Sequence, residues 1–479
     1  MIATYFPIVP LLILVAAGML VMVLEPFTAP ERKARLGQMA VVATALAAYS
    51  LAFQWNAPPR TLFRGMFVVD NFSVFFQWLF LVITGISALV SIRFNERESL
   101  SRGEYYALLL FACAGMSLMA ASDDLLLTFL ALEILSISTY VLAGFKRNEA
   151  HSNESALKYF LLGSFATAFL LYGIALIYGS SGSTNYQSIR TVIHLQGSAQ
   201  ITAVAGLVLL LVGFGFKAAL VPFHAWAPDV YEGAPTTVTA FMTVGPKAAA
   251  FAALARVLAE AFPSLAGDWT SLLWAVSILT MTLGNVVAVQ QTNIKRMLAY
   301  SAIAHAGYIL IGLVANTRSG YGAVLFYLVI YAVMNLGALT IVLSLSRQGD
   351  KSVNLDDYAG LGQRAPFAAA ALSVFLISLA GIPLTGGFIG KFYLFSSALP
   401  HYLGLVIIAV LNSVISVYYY FRVMVFMYMR EPSQGEPEPE PINHSVLAII
   451  AICAVGVFWL GIQPSGLLHL ASNSVLTLK

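Results

Sequence analysis

The chain has 479 residues, of which 59% are hydrophobic and 10% charged, against roughly 25% charged in soluble domains. With a mean hydropathy of +0.83, this composition excludes a soluble enzyme and describes a protein that crosses a membrane many times. The net charge of +3 carries no nucleic-acid signal, because basic residues of such a protein sort by side of the bilayer.

Apolar runs of about 17–25 residues suit one crossing each. Fourteen can be read, over 5–25, 37–55, 71–92, 105–122, 125–145, 155–179, 201–222, 236–260, 269–290, 297–316, 320–346, 366–399, 402–428 and 444–463. No Lys or Arg precedes Arg32, so the first run lacks the basic start of a signal peptide and reads as a retained span. The seventh is interrupted by Pro222. The twelfth is too long for one straight helix and contains Gly381-Ile382-Pro383-Leu384-Thr385-Gly386-Gly387. It is expected to form two half-helices around a break. The stretch Gly179–Gln200 reads as a Ser/Gly-containing outer loop, and Glu431–Pro441 as an extended Pro/Glu linker.

Loops after odd-numbered spans hold most of the loop Lys and Arg, among them Arg32, Lys33, Arg35, Lys146, Arg147, Lys295 and Arg296. The opposite side holds Arg60, Arg64, Arg190, Arg256, Arg318 and Lys479. The positive-inside rule then puts both termini on the periplasmic side. Cys113 and Cys453 stand alone in apolar runs, with no paired spacing for zinc or an iron–sulfur cluster.

The stretch Gly213-Phe214-Gly215-Phe216-Lys217 matches Gly387-Phe388-Ile389-Gly390-Lys391, five spans later. An odd number of spans turns the second unit upside down, and inverted repeats with broken helices mark many transporters.

The basic residues left inside spans are Lys158, Lys217, Lys247, Lys391 and Arg422, and the one acidic residue deep in a span is Glu133. A lysine in hydrocarbon costs on the order of 3 kcal/mol, so such groups face protein or water and usually work. Lys247 is near the midpoint of its span, beyond the reach of snorkelling. Lys217 and Lys391 each adjoin a break. Strung along a hydrated axis, Glu133, Lys217, Lys247 and Lys391 would make a proton wire. Ser136 shares the face of Glu133. Lys158 sits near the cytoplasmic start of its span, where snorkelling and a proton role both fit. His224, after the first break, and His305, inside span 10, fit a relay and a structural hydrogen bond equally. Arg422 receives no role.

The motifs GFGFKAALVPFHAWAPDVYEGAPTTVTAF (213–241), SLAGIPLTGGF (378–388) and QTNIKRMLAYSAIAH (291–305) resemble signatures of the antiporter-like membrane subunits of respiratory complex I. The resemblance covers nearly the whole chain. Lys391, Asn293 and an end soon after span 14 separate it from the largest and the middle-sized paralogue. It implies an all-α polytopic membrane protein of 14 transmembrane helices, with two inverted five-helix repeats and broken helices 7 and 12. The corresponding regions would be 1–104 for helices 1–3, 105–260 for the first repeat, 269–428 for the second, and 429–479 for the linker and helix 14.

The resemblance also implies a Glu–Lys pair at Glu133 and Lys217, a central lysine at Lys247 and an exit-side lysine at Lys391. It lends weight to Lys158, His224 and His305. The chain would carry no redox cofactor, with NADH, FMN, iron–sulfur clusters and quinone handled by partner subunits. Its partners would be other membrane-arm subunits, antiporter-like paralogues included, in a bacterial inner membrane and without nucleic acid. Alternative readings are a Na⁺/H⁺ antiporter subunit, a membrane subunit of an energy-converting hydrogenase, or a small-solute secondary transporter.

Overall fold

The computed structural model describes residues 5–196, 201–346, 349, 353–432 and 442–475. Most of the Pro/Glu linker (433–441) and Lys479 lie outside the described residues. In chain order the helices begin with α1 (Val9–Leu24), α2 (Ala34–Ala52), α3 (Asn71–Arg97), α4 (Gly103–Ala121), α5 (Leu125–Ala143) and α6 (Ala150–Ser181). Next come α7 (Tyr186–Gln196), α8 (Ile201–Ala218), α9 (Trp226–Gly233), α10 (Thr236–Arg256), α11 (Ala266–Gln290) and α12 (Ile294–Val314). The last are α13 (Arg318–Leu345), α14 (Pro366–Ala380), α15 (Gly386–Ala398), α16 (Leu403–Met429), α17 (His444–Ile462) and α18 (Ser465–Ser474). A short hairpin, β1 (Arg60–Leu62) and β2 (Phe67–Val69), pairs Arg60 with Val69 between α2 and α3.

Twelve helices among the described residues are long and apolar enough to cross a membrane, against the fourteen crossings expected. The other two expected crossings are α2, which carries Gln38, Thr44 and Ser50, and the interrupted pair α14–α15. The outer loop expected over Gly179–Gln200 contains helix α7 instead. Tyr186, Ile189 and Ile193 recur at helical spacing and are buried, which gives this short segment one apolar face.

Polar caps set the helix starts. Asp70 accepts from the backbone N–H of Ser73 in a capping box that opens α3. Asp124 accepts from the N–H groups of Leu126 and Leu127 at α5, and Asn293 from those of Lys295 and Arg296 at α12. Both expected breaks are present. The first follows α8, where Ala219 adopts φ +58° and the Val221–Pro222 bond is cis. The second separates α14 from α15, where Gly381 ends α14 at φ +85°.

The chain divides into two compact units. One comprises Met1–Ala219, Gly245–Leu272 and Ser472–Lys479, the other Leu220–Val244 and Leu273–Ala471. Within the first, α6 and α8 cross where an added Cβ on Gly173 would meet the Gly206 carbonyl at 2.7 Å, and one on Gly206 the Gly173 carbonyl at 2.9 Å. Small residues let membrane helices approach this closely. Within the second, α12 is almost wholly buried, and α13, α14 and α15 pack in its unit.

Candidate functional site

In the first unit the last turn of α8 carries Lys217 into the interior at 3% exposure. Its Nζ donates to Ser136 Oγ on α5 at 3.0 Å and to Tyr159 OH on α6 at 2.9 Å. The ammonium also lies over the rings of Tyr140 and Tyr159, at 5.8 and 5.2 Å from their centroids. Glu133, half-buried one turn before Ser136, is in coulombic range of Lys217. Its own Oε1 accepts from Thr167 Oγ1 on α6 at 2.8 Å. The glutamate and the lysine are therefore held by separate hydroxyls on shared helices. Hydroxyls both donate and accept, so each of these groups can hold either partner of a hydrogen bond with the charged residue it faces.

Lys247 belongs to the same unit and is 1% exposed, next to Pro246 inside α10. Lys158 departs from the group. It pairs with Glu154 one turn back along α6 at 2.8 Å, and its side chain is 42% exposed, which places it on the outer surface of the helix.

In the second unit α15 points Lys391 back at the end of α14. Its Nζ donates to the carbonyls of Leu379 and Ala380 at 3.0 and 2.9 Å, and to Ser413 Oγ at 2.9 Å. Those carbonyls lose their helical partners where Gly381 turns the chain. The ammonium thus caps the negative end of a half-helix, and it also lies 5.1 Å from the centroid of the Tyr308 ring.

Beside it, His305 Nδ1 is 2.5 Å from Tyr327 OH and its Nε2 is 3.1 Å from Tyr420 OH. Tyr420 OH continues to Ser301 Oγ at 2.5 Å. Asn285 donates to Tyr308 OH at 2.9 Å and accepts from Tyr419 OH at 3.0 Å. The second unit therefore holds a buried network of phenols, hydroxyls and one imidazole around Lys391. The tyrosines are residues that sequence reasoning missed, because a Tyr in an apolar run looks like packing. The adjacent Tyr419-Tyr420 beside Arg422 was the one available signal.

His224 lies in the turn after Pro222, half-buried, with Nδ1 lacking a hydrogen-bond partner among the described residues. Arg422 donates to the carbonyls of Val289 at 2.7 Å and of Gln291, capping α11. Arg296, read from the sequence as a topology signal, joins α12 to Asp229 and Glu232 of α9 at 2.8 and 2.7 Å. Lys295 donates to the carbonyl of Ala234 at 2.8 Å. Two of the three sequence motifs are thereby clamped together within one unit.

Buried ammonium groups beside interrupted helices place the chain with membrane ion translocators. Residues 122–416 match the family described as NADH:quinone oxidoreductase/Mrp antiporter, TM. The chain is 46% identical over 470 residues to NADH-quinone oxidoreductase subunit N of Trichlorobacter lovleyi, covering 98% of this chain and 96% of that protein. A chain of respiratory complex I from Thermus thermophilus superposes with a TM-score of 0.82 at 35% identity, covering 97% of this chain and 99% of that one. A chain of the Mrp complex from a Dietzia species shares the fold at a TM-score of 0.85 and 21% identity, covering 99% and 97%. The chain belongs to the NADH:quinone oxidoreductase/Mrp antiporter family.

Proposed function

We propose that this chain is the N-type membrane-arm subunit of a bacterial NADH:quinone oxidoreductase and translocates protons. The observation that carries the reading is Lys217, buried at a helix break and bonded to the Ser136 and Tyr159 hydroxyls with Glu133 in range. The identity to subunit N proteins supports the choice of parent complex.

In this reading Glu133 biases the charge on Lys217. Lys247 and Lys391 carry the proton onward, with His305, His224 and Lys158 as secondary groups. The units 105–260 and 269–428 act as inverted repeats, and both termini face the periplasm. Partner subunits and antiporter-like paralogues fill the rest of the arm, and redox chemistry stays in the partners. Each proton moved against 100 mV requires about 2.3 kcal/mol from the coupling.

A mild-detergent native gel of source membranes, blotted for this chain and stained for NADH oxidation, tests the reading. Co-migration with activity in one large band is expected. A large band without NADH activity, joined by sodium-dependent transport, would instead favour an antiporter complex. A lone band near the chain's own 51.5 kDa plus detergent would overturn the assignment.

A further inference from the structure

Helix α3 carries a buried polar stripe that the proposed function does not use. Ser73, Gln77, Thr84, Ser87, Ser91 and Asn95 follow one another at spacings of four, seven, three, four and four residues, which puts them on one face of the helix. All six are buried, at 4% exposure or less. Gln77 and Asn95 are about 27 Å apart along the axis at 1.5 Å per residue, against a hydrocarbon core about 30 Å thick.

The stripe meets α4 within the first unit. Ser91 Oγ is 2.9 Å from Tyr105 OH, and Asn95 Nδ2 donates to Tyr106 OH at 3.4 Å. Further along the stripe, Thr84 adjoins the Cys113 thiol of α4, as does Ser117, and a thiol is a weak hydrogen-bonding group. Gln77 Nε2, Ser87 Oγ and Asn95 Oδ1 have no hydrogen-bond partner among the described residues, and Thr84 Oγ1 has none stronger than the thiol.

Leaving such groups dry inside a membrane is costly, and their chemistry selects the ligand that relieves the cost. Gln77 Nε2 is a donor without an acceptor, Asn95 Oδ1 is an acceptor without a donor, and the two hydroxyls serve as either. A cation would suit the carbonyl oxygen and be repelled by the amide N–H, and an anion the reverse. Acyl chains offer no hydrogen bond, and the side chains are too deeply buried for a partner subunit to reach. Water both donates and accepts, and it bonds buried polar groups of this kind in many proteins.

We infer that the face of α3 against α4 is a water-binding seam, in which internal waters bond Gln77, Thr84, Ser87 and Asn95 inside the membrane. The seam is separate from Glu133, Lys217, Lys247 and Lys391, and it does not rest on their part in translocation.

The test is X-ray radiolytic labelling of the complex purified with its native partners, read by mass spectrometry. Radicals formed from bound water oxidise the side chains beside it, and Cys113 is 0% exposed, so bulk water does not reach it. Irradiation should oxidise Cys113 in the wild type. In a complex carrying Thr84→Val and Ser87→Ala the yield at Cys113 should fall several-fold, because a buried water needs two to four polar partners. Thr84→Val alone gives a second readout where the double variant fails to assemble. A hydroxyl bonded to water is satisfied, so T84V should release the subunit at the same urea concentration as wild type or a lower one. A hydroxyl left dry is a burden, so its removal would raise that concentration. An unlabelled Cys113 in the wild type, labelling that the double variant leaves unchanged, or a T84V complex more resistant to urea overturns the seam. None of these readouts uses NADH or pumping, so failure of the proposed function would leave them standing.

Discussion

Lys217 and Lys391 occupy matching places in the sequence and different chemistry in the structure. Lys217 meets side chains: two hydroxyls and two aromatic faces, with a carboxylate in range. Lys391 meets mostly backbone: two carbonyls at the end of α14, with the Ser413 hydroxyl and the Tyr308 ring beside them. A hydroxyl can give or take a proton, whereas a carbonyl only takes hydrogen bonds. Equivalent positions in a repeat therefore need not share a role. In the proposed function the first lysine exchanges its proton through these hydroxyl ligands. The second also completes the hydrogen bonding of a broken helix, a task that any proton transfer there must accommodate.

The contrast is broken most directly at Lys217. Lys217→Ala leaves Ser136 and Tyr159 free to bond each other or water, so the subunit should remain in the complex on a native gel. NADH-driven proton pumping in proteoliposomes should fall by about a hundredfold, the scale of losing a positioned proton carrier. Wild-type pumping by an assembled K217A complex would remove Lys217 from the path.

Lys391→Met should show a different balance. It strands the Leu379 carbonyl and leaves that of Ala380 to Ser413 Oγ at 3.3 Å, and lost bonds to a charged group cost about 1.5–3 kcal/mol. The subunit should leave the complex at lower urea concentration than wild type, while Lys391→Arg, which restores donors and charge, should recover most of that loss. If K391M dissociates no more readily than Lys217→Met, the capping role is wrong and the two sites are alike.

Much of this was legible in the chain. Gly381, Pro383 and the paired glycines 386 and 387 announce a break because backbone rules act locally. Charges such as Lys217 and Lys247 stand out because the surrounding residues are apolar. What stayed hidden depends on distant partners. Arg256 reads as an outer-loop residue from its place near a span's end, yet it is buried on Asp70, 186 positions away. Arg296 served as a topology signal while its bonds to Asp229 and Glu232 stayed invisible. Helix α7 could have been found from the spacing of Tyr186, Ile189 and Ile193, but the Ser and Gly residues around it masked the pattern.

The finest adjustment to the comparison lies at Thr167. Its Oγ1 donates to Glu133 at 2.8 Å, so it fixes where the carboxylate sits relative to Lys217. Thr167→Val keeps shape and removes that donor. Loss of one hydrogen bond to a charged group costs about 1.5–3 kcal/mol in a rigid buried site. Glu133 is half-buried, so water or Ser136 can take over the bond and the net effect should be about 1 kcal/mol or less. Pumping should then fall about fivefold at most, with assembly unchanged. Among the described residues Lys391 has no carboxylate ligand, so T167V should leave the stability difference between K391M and K391R unaltered. A change in that difference would mean the two units share one electrostatic system, and the separation drawn between the two lysines would have to be abandoned.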